Sequence, residues 1–196
     1  LNKVTCVRMY NLVQKHWQTA TEELRQRIRH ATQQEAQELT RKLEWMEQTE
    51  MAVVISQEQN EIKTFQKWGL DILPHRTKME KRELDKDFKN AEHPFRVVFV
   101  CAMWLTGFDV KSLSCLYLDK PLKAHTLMQT IARANRVTVG KSNGLIIDYI
   151  GIVKALRKAL ADYTANLEGG SQDPTIDKEQ LVNRVHELIS TATDYL

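Results

Sequence analysis

Hydrophobic residues gather in four short runs between residues 51 and 149, and each run predicts a buried strand. The runs are rich in β-branched or aromatic residues and lie at residues 51–55, 95–101, 115–119 and 144–149. Amphipathic patterns around and between them predict helices, at residues 57–68, 78–89, 126–136 and 152–167. Strands that alternate with helices indicate an α/β unit on a parallel sheet, whose ligands meet the loops at the carboxyl ends of the strands.

The segment before the first strand predicts two helices, at residues 4–17 and 21–49. Thr21 is a suitable N-cap for the second helix, and Glu22 and Glu23 would lie in its first turn, where the helix dipole favours acids. The apolar stripe of this helix is thin and has a polar middle. We therefore expect a partly solvated helical insertion at about residues 18–50.

The last part of the chain predicts a break followed by one more helix. Gly169 and Gly170 mark the break, and residues 177–189 carry an amphipathic helical pattern. We expect one α/β lobe over residues 1–167, followed at 168–196 by a linker and the start of a C-terminal helical region.

The amino-acid composition is typical of a soluble globular protein and does not indicate a particular activity. Hydrophobic residues make up 42% and charged residues 27% of the 196 positions, and the net charge is +3. This charge permits nucleic-acid binding without indicating it. Three widely spaced cysteines indicate reduced thiols in a cytoplasmic protein, not a disulfide framework or a zinc site. No apolar run is long enough for a membrane span. Because the chain begins inside a periodic segment, we expect it to be a piece of a longer protein.

The turn after the second strand carries polar residues that suit a binding site. It reads Met-Trp-Leu-Thr-Gly-Phe-Asp and contains Trp104, Thr106, Gly107 and Asp109. A glycine lets the backbone approach a ligand closely, and the carboxylate can accept from a ribose hydroxyl or pair with a cation. The alternative is an ordinary tight turn, since glycine and aspartate are common in turns.

The helix predicted at 126–136 carries an amide and two guanidinium groups on one face. Gln129, Arg133 and Arg136 are spaced i, i+4 and i+7, and this spacing on a helix suits a clamp for phosphate oxygens. The alternative is a solvated face with weak surface ion pairs.

Together, the two segments resemble a known family. A strand followed by Thr-Gly-Phe-Asp, a further strand and a Gln-x-x-x-Arg-x-x-Arg helix resemble motifs V and VI of superfamily 2 helicases. The run MWLTGFDVKSLSCLYLDKPLKAHTLMQTIARANRV, followed by GLIIDYIGI, resembles the restriction (R) subunit of type I restriction enzymes. The resemblance covers about residues 94–164, and residues 1–17 resemble the end of that family's motif IV region. It implies the second RecA-like lobe of a DNA translocase, with a P-loop NTPase-type parallel sheet and flanking helices.

The resemblance also implies site residues, cofactors and partners. Arg136 would be the arginine finger and Arg133 its companion, while Gln129, Asp109 and Gly107 would meet the nucleotide. Thr106 would lie in the motif V turn that joins the nucleotide and DNA sites, and it would contact DNA. The aromatic ring of Trp104 could stack on bases of DNA, and the alternative is that it packs the turn. The implied cofactors are ATP and Mg²⁺, both held mainly by a first lobe. The implied partners are double-stranded DNA, the first lobe and nuclease domain of the same full-length chain, and the methylation and specificity subunits, with no membrane partner.

Several features of a complete motor are missing from this sequence. No G-x-x-x-x-G-K-[ST] loop is present, and Gly140-Lys141-Ser142, which looks like its end, is followed by a strand and predicts a turn. No acidic box or nuclease carboxylate set is found either, so we expect no ATP hydrolysis by this chain alone. Two alternatives stay open: another superfamily 2 helicase lobe, and a non-catalytic interaction module that docks partners through residues 1–50 and 177–196.

Overall fold

The computed structural model describes residues 2–104, 107–122, 124–137, 141, 143–152, 154 and 157. In chain order its elements are α1 (Lys3–His30), α2 (Gln33–Gln48), β1 (Glu50–Ile55), α3 (Glu61–Gln66), α4 (Leu73–Lys81), α5 (Leu84–Lys89), β2 (Phe95–Cys101), β3 (Cys115–Leu118), α6 (Ala124–Ala134) and β4 (Leu145–Asp148). All four predicted strands are confirmed. The predicted linker and helix within 168–196 lie outside the described residues, and the helix predicted at 152–167 is described, as helical, only at 152, 154 and 157.

Strands β1 and β2 form a parallel pair that is covered on both faces. Successive side chains of a strand point to opposite faces, so neighbouring residues of β1 enter different clusters. Val53 and Ile55 pack with α1 and α3, whereas Ala52 and Val54 pack with Leu84 of α5. This double burial explains why β1 reads as an unbroken apolar run.

Strands β3 and β4 form a second parallel pair, covered by α6. Leu118, Leu127 of α6 and Ile152 form its buried cluster. Tyr117 and Tyr149 stand outside this cluster, 60% and 65% exposed, with their rings stacked.

Both strand pairs are parallel and are joined by helical crossovers, which confirms the α/β class. Among the described residues the strands pair as two two-stranded sheets. A single RecA-like sheet containing all four strands therefore stays a prediction.

The break between the first two helices lies later than predicted. Helix α1 runs without interruption through Thr21, whose hydroxyl donates to the carbonyl of Trp17 at 2.7 Å within the helix, so the prediction of Thr21 as an N-cap is wrong. The cap of α2 is Thr32, which forms a reciprocal capping box with Glu35. A threonine followed three residues later by a glutamate is a signal that the sequence carries at this position.

Aromatic and cationic contacts attach α1 and α2 to the strands. The indole nitrogen of Trp17 donates to the carbonyl of Met46 at 2.9 Å. The guanidinium of Arg96 in β2 lies 5.0 Å above the ring of Trp45 and donates to the hydroxyl of Thr49 at 3.1 Å. The end of α2 is thus attached to β2 through Arg96.

A charged network joins β1 to the helices that follow it, and it coincides with a break in a predicted helix. Residues 78–89 form the end of α4 and all of α5, interrupted at Arg82, and not one helix. Glu50 accepts from both Lys78 and Arg82, and Arg82 also binds Asp87 at 2.7 Å. Although burial acts to raise it, these hydrogen bonds hold the pKa of Glu50 below its usual value.

Candidate functional site

The turn after β2 has an unusual backbone. Ala102, Trp104 and Gly107 all adopt the left-handed region, with φ of 63°, 64° and 72°. This conformation costs roughly 1–2 kcal/mol for a residue with a Cβ, and glycine avoids the cost. Two strained residues this close together require tertiary contacts that hold them.

An aromatic cluster supplies those contacts. The ring of Trp104 stacks on Phe108 with centroids 4.2 Å apart, and the ring of Phe88 from α5 lies 5.9 Å from Trp104. The ammonium of Lys89 lies 4.7 Å from the centre of the Phe108 ring. The structure thus packs Trp104 against Phe108 of the same turn and against Phe88 of α5, and a contact between Trp104 and DNA stays a prediction. Thr106 lies outside the described residues.

Asp109 is the residue of this turn that meets the second predicted segment. Its carboxylate Oδ2 accepts a hydrogen bond from Arg136 Nη1 at 2.5 Å. Both side chains are close to half exposed, 47% for Asp109 and 45% for Arg136. The next residue, Val110, is buried at 5% exposure and fixes the turn to the protein interior. The structure therefore brings together two candidates that are 27 positions apart in the sequence.

Helix α6 carries only two of the three residues predicted to share its face. Gln129 is exposed on the helix and Arg133 lies one turn further along it, half-buried. The helix ends at Ala134, so Arg136 lies two residues beyond it, and its predicted place on the helix is wrong.

The end of α6 is fixed by residues that follow it in the chain. The ammonium of Lys141 donates to the carbonyl of Ala134 at 2.7 Å and to that of Lys111 at 3.4 Å. The amide of Gly144 donates to the side chain of Asn135 at 3.4 Å, and a Cβ built on Gly144 would lie 2.1 Å from the Ala134 carbonyl oxygen. A lysine ammonium suits the negative end of the helix dipole. Lys141, which the sequence offered only as part of a turn, therefore braces the candidate site.

The site lies on the segments that enter β3 and β4. Asp109 belongs to the segment between β2 and β3, and Arg136 to the segment between α6 and β4. The turn begins where β2 ends, as predicted. Asp109, however, lies closer in sequence to the start of β3 at Cys115 than to the end of β2 at Cys101. The paired residues thus belong to connections that lead into strands.

Neither a metal site nor a membrane-spanning helix is found among the described residues. Nowhere in the described ranges do three or more histidine, cysteine, aspartate or glutamate side chains come together as a metal site. Within the same ranges, no helix combines the length and apolar character needed to cross a membrane.

A family model covers most of the chain. Residues 2–151 match a model described as type I restriction enzyme subunit R domain 3. The match includes α1, all four strands, the turn after β2 and the end of α6.

Individual relatives agree with the family match. The chain is 52% identical over 91 residues to the type I restriction enzyme HindI endonuclease subunit of Haemophilus influenzae, an alignment covering 45% of this chain and 9% of that protein. It is 50% identical over 54 residues to the SsaAORF53P endonuclease subunit of Staphylococcus saprophyticus, covering 27% of this chain and 6% of the relative. For the SauCOLORF180P endonuclease subunit of Staphylococcus aureus, identity is 43% over 65 residues, covering 33% of this chain and 7% of the relative.

The chain spans about a tenth of the length of the first of these relatives, so it corresponds to one part of a much larger protein. The match over residues 2–151 and the identities with these relatives point to the same conclusion. The chain belongs to the family of type I restriction enzyme R subunits, in which it corresponds to domain 3.

Proposed function

We propose that this chain is the second RecA-like lobe of the ATP-dependent DNA translocase in a type I restriction enzyme. In this role it supplies Arg136 as an arginine finger to ATP held by a first lobe of the same full-length protein. The ion pair between Arg136 and Asp109 carries the proposal. It joins the two segments that resemble the ATP-facing motifs of superfamily 2 helicases.

The chemistry of Arg136 suits this role. Phosphoryl transfer needs positive charge where negative charge develops, and an arginine finger contributes roughly 10³ to 10⁵ in rate. The guanidinium is always charged and offers five N–H donors, of which the bond to Asp109 uses one at Nη1. Because its side chain is 45% exposed, a phosphate oxygen brought by a closing first lobe can reach it.

The neighbouring candidates would support this finger. Arg133 and Gln129 lie on the last two turns of α6, on the approach to Arg136. We assign Arg133 as the companion cation at the γ-phosphate and Gln129 as a residue that positions the nucleotide. Asp109 and Gly107 would connect the nucleotide to the DNA groove, with Asp109 also able to accept from a ribose hydroxyl.

Mg²⁺ would neutralise charge on the phosphates when it is bound with ATP. The resemblance to superfamily 2 helicases implies that the first lobe would hold this ion together with ATP.

The proposed substrate of the motor is double-stranded DNA, contacted through its backbone. A translocase must step over any sequence, and phosphate contacts carry no direct sequence information. We propose Thr106 and the backbone at Trp104 as contacts in the turn after β2. Sequence recognition and methylation would belong to separate subunits, and DNA cleavage to a nuclease domain of the same chain, all in the cytoplasm.

The test is Arg136→Ala in the full-length R subunit, assembled with its methylation and specificity subunits. We expect DNA-stimulated ATP hydrolysis to fall by roughly 10³-fold or more, as for other arginine fingers. The matched control is Arg41→Ala, an exposed arginine of α2, which should hydrolyse ATP at the wild-type rate. Wild-type hydrolysis by Arg136→Ala would overturn the finger assignment and favour the interaction-module alternative.

A further inference from the structure

The ammonium of Lys141 bridges the two segments that carry the Asp109–Arg136 pair. One of its acceptors is the carbonyl of Ala134, two residues before Arg136, at 2.7 Å. The other is the carbonyl of Lys111, two residues after Asp109, at 3.4 Å. One ammonium thus contacts both backbone segments, each at a carbonyl two residues away from one of the paired side chains.

The Ala134 carbonyl depends on this contact. Ala134 is the last residue of α6, and the last carbonyls of a helix lack partners within the helix. The residue is 0% exposed, so water does not reach its carbonyl. Without the Lys141 ammonium, a buried acceptor would lose its charged donor, and the helix end would shift to find another.

The packing around Gly144 makes the helix end a defined position. A Cβ at Gly144 would approach the Ala134 carbonyl oxygen to 2.1 Å, so the chain entering β4 passes directly against this group. The side-chain oxygen of Asn135 accepts from the Gly144 amide at 3.4 Å. Because these contacts precede Arg136 by one or two residues, they fix the point from which its side chain extends.

We propose that Lys141 is a positioning residue that sets the spacing between Asp109 and Arg136, and through it the placement of the guanidinium towards ATP. This inference rests on the proposed function, since it assigns Lys141 to the same site. The role of Lys141 is indirect, because its ammonium donates to two backbone carbonyls that flank the paired side chains.

The experiment compares Lys141→Met, Lys141→Arg and Arg136→Ala in the full-length R subunit assembled with its partner subunits. Steady-state hydrolysis with saturating DNA gives kcat and KM for ATP. We expect Lys141→Met to lower kcat by roughly 10- to 100-fold, since a displacement of about 1 Å in an active site can cost on the order of 100-fold. KM should change less than about twofold, because the finger acts in the transition state.

Two further variants separate positioning from general damage. Lys141→Arg keeps a cation that can reach the two carbonyls and should restore most of kcat. Lys141→Met in the Arg136→Ala background should cause no additional loss, because a residue that acts through Arg136 has no effect once Arg136 is removed. Lys67→Met, an exposed lysine at the end of α3, is the matched control and should keep the wild-type kcat.

The outcomes distinguish the two proposals. Wild-type kcat in a folded Lys141→Met subunit, or additive losses in the double variant, overturns the role of Lys141 while the finger survives. Wild-type activity in Arg136→Ala overturns the proposed function itself. If Lys141→Met fails to fold, Lys141→Arg decides: activity near wild type supports the bridging cation, and a low kcat in a folded subunit overturns it.

Discussion

Arg136 donates a hydrogen bond to Asp109 across 27 positions of sequence, from the segment that follows α6 to the turn that follows β2. Neither residue is buried, and each side chain keeps nearly half of its surface in solvent. Exposed pairs of this kind contribute only about 0–1 kcal/mol to folding. The pairing is therefore better explained by what it positions than by the stability that it adds.

Replacing Asp109 by asparagine separates these two effects. We expect Asp109→Asn to change the free energy of unfolding of the chain by less than about 1 kcal/mol. In the full-length subunit it should lower DNA-stimulated ATP hydrolysis by at least about tenfold, because the guanidinium loses the carboxylate that orients it. Asp85→Asn, which removes a surface contact to Lys89 at 3.9 Å, is the matched control and should preserve hydrolysis. A large loss of stability with normal hydrolysis would contradict the positioning role.

Sequence patterns predicted the elements of this fold better than their ends. The strands are recognisable because both faces of the β1–β2 pair are covered, so most positions of the two strands are apolar. The first helix break was misplaced because Thr21 resembles a cap, although it lies inside α1 and the reciprocal box at Thr32 and Glu35 forms the actual cap. Local signals compete, and the decision between them depends on packing that a sequence does not display.

The candidate site also depends on packing that the sequence does not display. The sequence predicts Asp109 and Arg136 as parts of one site, and the structure places these two side chains in contact. It also predicts Arg136 on a helix, whereas α6 ends at Ala134. The end of α6 at Ala134 depends on Lys141 and on the chain entering β4, which approach from later positions. Such long-range contacts determine where a helix stops, and for this reason the position of Arg136 could not be read from helical spacing.

The strained turn predicts an unusual stabilising substitution. Ala102 has φ of 63°, which costs roughly 1–2 kcal/mol for a residue with a Cβ. Glycine adopts this φ without steric strain, but ordering a glycine on folding costs about 0.5–1 kcal/mol more conformational entropy than ordering an alanine. We expect Ala102→Gly to stabilise the chain by up to about 1 kcal/mol in urea unfolding. Ala20→Gly, at an exposed position within α1, should instead destabilise it by about 1 kcal/mol. The same loss from both substitutions would show that the left-handed turn stores no strain.

The close approach at Gly144 predicts a steric defect that reaches the candidate site. An alanine Cβ would lie 2.1 Å from the Ala134 carbonyl oxygen, so backbone must move to admit it. We expect Gly144→Ala to destabilise the chain by about 1–3 kcal/mol and to reduce hydrolysis in the full-length subunit. Gly69→Ala is the control, since it meets nothing within 4 Å and strains only its own φ of 66°. It should cost about 1 kcal/mol and leave hydrolysis unchanged. Equal hydrolysis by the two variants would argue against coupling between Gly144 and Arg136.

A buried histidine makes the stability of the chain depend on pH. His75 in α4 is 9% exposed and meets the ring of Tyr10 edge-on, with centroids 4.7 Å apart. Burial lowers the pKa of His75 below 6.5; the carboxylate of Asp71 opposes this shift and the ammonium of Lys78 adds to it. His75 therefore binds a proton less readily in the folded chain than in the unfolded chain. The contribution of neutral His75 is complete above pH 6.5 and is lost as the pH falls through the folded pKa.

The measurement is the free energy of unfolding at about pH 7.5 and about pH 5.5 for the wild-type chain and for His75→Gln, which cannot titrate. Wild type should lose at most about 1.4 kcal/mol per pH unit through this one proton over the interval, and His75→Gln should lose correspondingly less. The variant will be weaker at both values because it loses the Tyr10 ring contact, so only the difference between the two pH values tests the prediction. His16→Gln, at an exposed position of α1, should follow the wild-type dependence. An unchanged pH dependence in His75→Gln would mean that other groups cause the acid sensitivity, since a buried neutral imidazole contributes to that slope only while it can bind a proton.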